Sequence, residues 1–157
     1  MNLVSQVLAI VAVLSAGIIY GTDALGALVM RPALERVDER MLVKITGLTH
    51  YYGDRRFPLP GILSVVATVL TAVASAFGQR WAATIAAGAA AVILLVWLAI
   101  YFTVNAPINR RLTAAAMEDR VPENARALQR RWDSVINLRA VLQGAAVAAL
   151  CVVLAAP

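Results

Sequence analysis

Thirteen of the fourteen Lys and Arg in this chain fall in two blocks, Arg31–Arg56 and Arg110–Arg139, and the other is Arg80. Long apolar runs flank each block. An apolar run of about 20 residues crosses the hydrocarbon of a bilayer as a helix. In lipid every backbone N–H and C=O must be paired within its own segment, which excludes open strands. Four segments meet that length: Leu3 to Tyr20, continuing toward Met30; Leu59 to Phe77; Trp81 to Val104; and Leu138 to Ala155. The expected fold is all-α, an integral membrane four-helix bundle with cytoplasmic helical extensions. A single membrane domain is expected over residues 1–157, with helices at about 3–30, 59–77, 81–104 and 122–155 and cytoplasmic connections at 31–58 and 105–137.

Hydrophobic residues make up 61 % of the chain and charged ones 15 %, against roughly 45–50 % and 25 % in soluble domains. A pI of 10.1 would suit a nucleic-acid binder. Here the cations sit at the ends of apolar segments, where they set topology, so no nucleic acid is expected and the lipid bilayer is the first partner. No cation precedes the first helix, six lie between the first and second, one between the second and third, and seven from Asn105 through Arg139. The excess of cations marks the cytoplasmic side. Both termini are therefore expected outside and both long connections in the cytoplasm. With thirteen arginines to one lysine, the codon usage suggests a GC-rich bacterium, and the expected location is the plasma (bacterial inner) membrane, multi-pass. No Lys or Arg precedes the first apolar stretch, which is long for a signal peptide; it reads as a retained anchor.

The connections have structure of their own. Leu34, Val37, Met41, Ile45 and Leu48 recur at three- and four-residue steps, the pattern of an amphipathic helix that ends around Tyr52-Gly53-Asp54. Pro58 and Pro60 open the second span, and Pro122-Glu123 reads as a first helical turn. A helix from Pro122 to Ala155 would measure about 50 Å, longer than the hydrocarbon is thick. Small residues at four-residue steps, Gly17/Gly21, Ala82/Ala86 and Gly144/Ala148, would let helices approach closely in lipid.

Polar groups at membrane depth are costly and mark candidate sites. The first helix offers Tyr20 and Asp23, and the third offers Trp97, Tyr101, Asn105 and Asn109 at four-residue steps. The fourth offers Trp132, Arg139 and Gln143, and the first connection adds His50 beside Tyr51 and Tyr52. Each has a plainer role: Asp23 as an interfacial partner of an arginine, Asn105–Asn109 as a break at Pro107, Arg139 as a snorkelling cation, Trp132 as an interface anchor, His50 as an incidental loop residue. What favours a site is that all lie toward the cytoplasmic end and converge on one level. His50 and Cys151 are the single His and single Cys, so neither a multi-histidine nor a cysteine-based metal site can be built within one chain, and no metal or cofactor is expected.

The segments Asn105-Ala-Pro-Ile-Asn109-Arg110-Arg111 and Arg131-Trp132-Asp133-Ser134-Val135-Ile136-Asn137-Leu138-Arg139, with Pro32-Ala33-Leu34, resemble the small four-helix membrane family that includes the anthrone oxygenases. The likeness in layout spans nearly the whole chain, and the specific motifs cover about fifteen residues. It implies oxidation of an anthrone to an anthraquinone by molecular oxygen without a cofactor. The family motif falls here on Asn105, Pro107, Asn109, Trp132, Asn137 and Arg139. On this reading His50 or Asp23 would take a proton from an acidic carbon. Arg139, Asn105 and Asn109 would hold the oxyanion, and Trp97, Tyr101 and Trp132 would flank a flat ring. Tyr20, Asn137 and Gln143 complete the candidate binding set.

Two other classes stay open. One is a non-enzymatic accessory subunit or small-molecule binder, working as an oligomer or with a partner subunit. The other is a small transporter, against which stands the lack of an acid within the apolar cores of helices two, three and four.

Overall fold

The computed structural model describes residues 3–156; residues 1, 2 and 157, the ends of the expected domain, lie outside the described residues. The chain runs through α1 (Leu3–Leu25), α2 (Arg31–Leu34), α3 (Glu39–Arg56), α4 (Pro58–Phe77), α5 (Trp81–Ile100), α6 (Ala106–Met117), α7 (Ala125–Asp133) and α8 (Ile136–Ala155). Four stretches, Leu3–Leu34, Pro58–Phe77, Trp81–Met117 and Ala125–Ala155, are long and apolar enough to cross a membrane. The molecule is an all-α, multi-pass membrane bundle.

The spans form a ring in which α1 touches α4 and α8, and α5 touches α4 and α8. Alanine dominates its centre. Ala12, Ala16, Ala67, Ala90 and Ala146 pack around Leu94 and Leu150, and Ala9, Ala83 and Ala87 around Val153. Lipid gives no hydrophobic drive for helices to associate, so close backbone approach through small side chains holds such a bundle. α4 turns Ser64, Thr68, Thr71 and Ser75 inward. The hydroxyls of Ser64, Thr68 and Thr71 donate to the carbonyls of Gly61, Ser64 and Ala67 at 2.6–2.8 Å, which satisfies them within their own helix. Of the small residues that the four-residue steps picked out, Ala86 packs against the core of the ring, whereas the others do not enter it. A Cβ on Gly17 or Gly21 would meet nothing within 4 Å, Ala82 is exposed, and Gly144 lies under the ring of Tyr20.

Two wide π-helical turns, Gly26–Met30 and Tyr101–Asn105, join α1 to α2 and α5 to α6. Arg31 N–H bonds back to Gly26 and Ala106 N–H to Tyr101, five residues away in each case. A proline follows both turns, Pro32 and Pro107. A helical proline lacks a donor and crowds the carbonyl four residues earlier, here Leu28 and Thr103, both inside the wide turns. Widening makes room for the ring, so the third span does not stop near residue 104 as the sequence suggested but continues to Met117. The last span begins at Ala125 rather than Pro122 and is interrupted at Ser134-Val135.

α3, α6 and α7 form a second layer against one end of the ring. Leu42, Val43, Ile108, Leu112, Ala115, Ala116, Ala125 and Leu128 make its core. Asp38 caps α3, its Oδ1 accepting from Met41 N–H at 2.7 Å. The buried face of α3 is Leu42, Val43, Thr46 and Gly47, which at about 100° per residue lies nearly opposite the expected stripe, and Met41 is half exposed. Gly47 is the reason: a Cβ there would lie 2.3 Å from Ala116 Cβ and 2.5 Å from the Leu112 carbonyl oxygen. α3 presents this side-chain-free position to α6, and Thr113 Oγ1 donates to the Gly47 carbonyl at 3.2 Å. Arg126 ties the layer to α1–α2 by donating to the Leu34 carbonyl at 2.9 Å and to that of Val37.

Candidate functional site

Where the layer meets the ring, α1, α5 and α8 bring three polar side chains together. Asp23 is 3 % and Arg139 5 % exposed. Arg139 Nη2 donates to Asp23 Oδ1 at 2.7 Å, and Trp97 Nε1 donates to Asp23 Oδ2 at 2.7 Å. Both carboxylate oxygens are thus engaged, as a buried charge requires. Trp97 and Tyr101 stack with their rings 10° apart. The Arg139 guanidinium lies 5.1 Å from the Trp97 ring and 5.7 Å from those of Tyr101 and Trp132, within cation–π range of all three.

A second network hangs on Asp54, near the end of α3. Tyr101 Oη donates to its Oδ1 at 2.8 Å and Asn109 Nδ2 at 3.1 Å. Asn109 Oδ1 in turn accepts from Trp132 Nε1 at 2.9 Å. The Trp132 ring lies against His50, 5.6 Å between centroids. Four elements are thereby locked at one level. The four-residue steps of Trp97, Tyr101, Asn105 and Asn109 help explain it. Each step overshoots a 3.6-residue turn by about 40°, and the underwound turn at Tyr101–Asn105 takes part of that drift back.

These groups line a cavity of about 640 Å³ whose other walls are mostly apolar. Two of its polar atoms are buried without a hydrogen-bond partner, His50 Nε2 and Arg139 Nε; Gln129 Oε1, in the same wall, is a third. Burial pushes the His50 imidazole down to about 4, with Arg139 adding to the shift and Asp54 opposing it. The ring is neutral at pH 7. Among the described residues no three His, Cys, Asp or Glu side chains cluster closely enough to hold a metal.

The cavity gathers Asp23, His50, Trp97, Tyr101, Asn109, Trp132 and Arg139. Asn105 and Gln143 are fully buried with neither amide atom partnered, and they lie outside its wall. Tyr20 and Asn137 are exposed and line a separate groove of about 290 Å³ between α1 and α8. The sequence reading missed Asp54, the hub of the second network. The signal was present, since His50 and Asp54 stand four residues apart and share a helix face, but Tyr52-Gly53-Asp54 reads as a helix end. Gln129 and Asp133, another four-residue pair joined at 2.9 Å, escaped notice in the same cavity.

The family model described as Anthrone oxygenase matches residues 48–151. That stretch contains every cavity residue named above except Asp23. No curated protein and no solved structure matches the chain.

Proposed function

The chain belongs to the anthrone oxygenase family, and on that premise we propose that it oxidises a lipophilic phenolic, anthrone-like substrate with molecular oxygen in the aromatic cavity. The observation that carries this reading is the pair of unpartnered buried nitrogens, His50 Nε2 and Arg139 Nε, in one cavity walled by Trp97, Tyr101 and Trp132. A neutral imidazole accepts a proton, and a buried guanidinium N–H with no partner stabilises an oxyanion. Asp23 has both oxygens occupied by Arg139 and Trp97, which makes His50 the base and Asp23 the residue that orients Arg139.

His50 removes one proton from the CH₂ between the rings, and the charge spreads to the ketone oxygen beside Arg139. The electron-rich anion reduces oxygen and forms a C–O bond, and the resulting peroxide anion takes a proton. Loss of the second C–H proton then breaks the O–O bond and releases hydroxide, which leaves as water. The balance is one CH₂ and one O₂ to one C=O and one H₂O. The basic layer faces the cytoplasm of a bacterial inner membrane on this reading, with both termini outside.

Purified protein supplied with a panel of anthrones and hydroquinones should consume oxygen in proportion to the quinone formed, and His50→Gln should abolish uptake while leaving binding. Binding without turnover across the panel would make the protein a small-molecule binder, and absence of both would reject the site.

A further inference from the structure

The cavity is larger than its ring-lined end. A volume of about 640 Å³ lies within the roughly 300–1,000 Å³ of sites that enclose a drug-sized ligand. Trp97, Tyr101 and Trp132 bound one end, with the polar groups. Elsewhere the wall includes Leu25 of α1, Phe57 at the start of α4, and Ile62 of α4. These three line the cavity and are also 52 %, 37 % and 62 % exposed. Residues that do both mark where a cavity reaches the outer surface, and around a spanning bundle that surface is lipid. Gly61 is in the same wall, and a Cβ there would meet nothing within 4 Å.

We propose that the ligand is amphiphilic: a phenolic ring at the polar end, carrying an apolar chain that lies in a lateral throat between α1 and α4 and continues into the leaflet beside the extension layer. The proposal rests on the reading of the aromatic site given above and deepens it by naming the substrate class. Hydrocarbon is as apolar as the throat, so the chain itself gains little on binding. The throat lets a chain-bearing ring approach sideways without leaving the bilayer.

The test uses full-length protein in phosphatidylcholine–phosphatidylglycerol nanodiscs. Trp81, exposed at the far end of α5, is replaced by Phe so that emission comes from Trp97 and Trp132. A 1,4-naphthoquinone without a side chain and one with a long isoprenoid chain are titrated, concentrations counted per lipid. Both should quench, with midpoints within about twofold. Gly61→Phe should raise the midpoint of the chain-bearing quinone by about tenfold or more and leave the other within about twofold. Should Gly61→Phe lower the melting temperature, Ile62→Phe repeats the comparison. Quenching by the chain-free quinone alone overturns the throat and leaves the ring site standing. Equal effects of Gly61→Phe on both quinones, or none on either, overturn it as well. Quenching by neither removes the ring site together with the throat. A phospholipid that native mass spectrometry finds retained through the titration makes the throat a lipid seat and overturns the proposal.

Discussion

Among the described residues, Asp23 and Arg139 form the buried ion pair. Their side chains are 4 % and 6 % exposed, and removing one member of a buried ion pair strands the other, at a cost of about 3–5 kcal/mol. Asp23→Asn and Arg139→Gln are each expected to cost roughly that much by thermal or denaturant unfolding in detergent. The double variant should cost clearly less than the sum, because no unpaired charge remains; strict additivity would show that the pair is not coupled. His50 gives a pH prediction. Its folded value near 4 lies below the ordinary 6.5, so the unfolded chain takes up the proton first as pH falls. The stability it contributes is whole above about 6.5 and is lost progressively toward 4, by up to about 3 kcal/mol. Melting temperatures between pH 7.5 and 4.5 should follow that slope in the wild type and lose it in His50→Gln. The acid limb of kcat/KM should also lie near 4 rather than 6.5. Single residues at this scale were partly legible. Asp23, Trp97, Trp132 and Arg139 stand out as polar or aromatic groups in apolar runs. Asp54 does not, because nothing local separates a half-buried carboxylate that accepts from Tyr101 and Asn109 from one that faces water. Tyr20 was grouped with Asp23 by a three-residue step, which leaves two side chains about 60° apart on a helix. That is enough to put one inside and the other on the rim.

At the scale of elements, α3 and α6 are joined by a backbone contact at Gly47. Gly47→Ala would force a Cβ into Ala116 and the Leu112 carbonyl. Neither is a flexible side-chain end that can swing away, so overpacking should cost about 1–3 kcal/mol. Because α3 also carries His50 and Asp54, naphthoquinone quenching should weaken with it. Gly17→Ala is the control: with open space around it and a helix preference favouring Ala by up to about 1 kcal/mol, it should melt no lower than the wild type. Equal destabilisation by the two would overturn this account of the contact. The spans themselves were legible because bilayer thickness sets their length. The stop expected near residue 104 was not, since Pro107 ordinarily ends a helix and only the widened turn before it lets the chain continue. The face of α3 was misjudged because periodicity counts apolar side chains, and the contact at Gly47 has none.

On the scale of the whole molecule, the ring and the layer put all the polar chemistry at one end. The far end is closed by the Gly78–Arg80 turn, where Arg80 Nη2 donates to the Ala156 carbonyl at 2.7 Å. The topology proposed above puts the layered end in the cytoplasm. In a Cys151→Ala background, a membrane-impermeant thiol reagent applied to intact cells should label Gln79→Cys and should reach Glu123→Cys only after lysis; the reverse pattern would invert the topology. The two wide turns carry a consequence for how such a chain tolerates insertion and deletion. Each holds one residue more than a regular helix needs, and loss of that residue would leave the span long enough for a bilayer. Everything beyond it would rotate by about 100°, taking Asn109 away from Asp54 and Trp132 in one case and swinging Leu34 away from Arg126 in the other. A chain of the same composition, one residue shorter at Val104, would be a membrane bundle of the same outline without this site. Among relatives of this protein, the position of a single gap is a statement about chemistry.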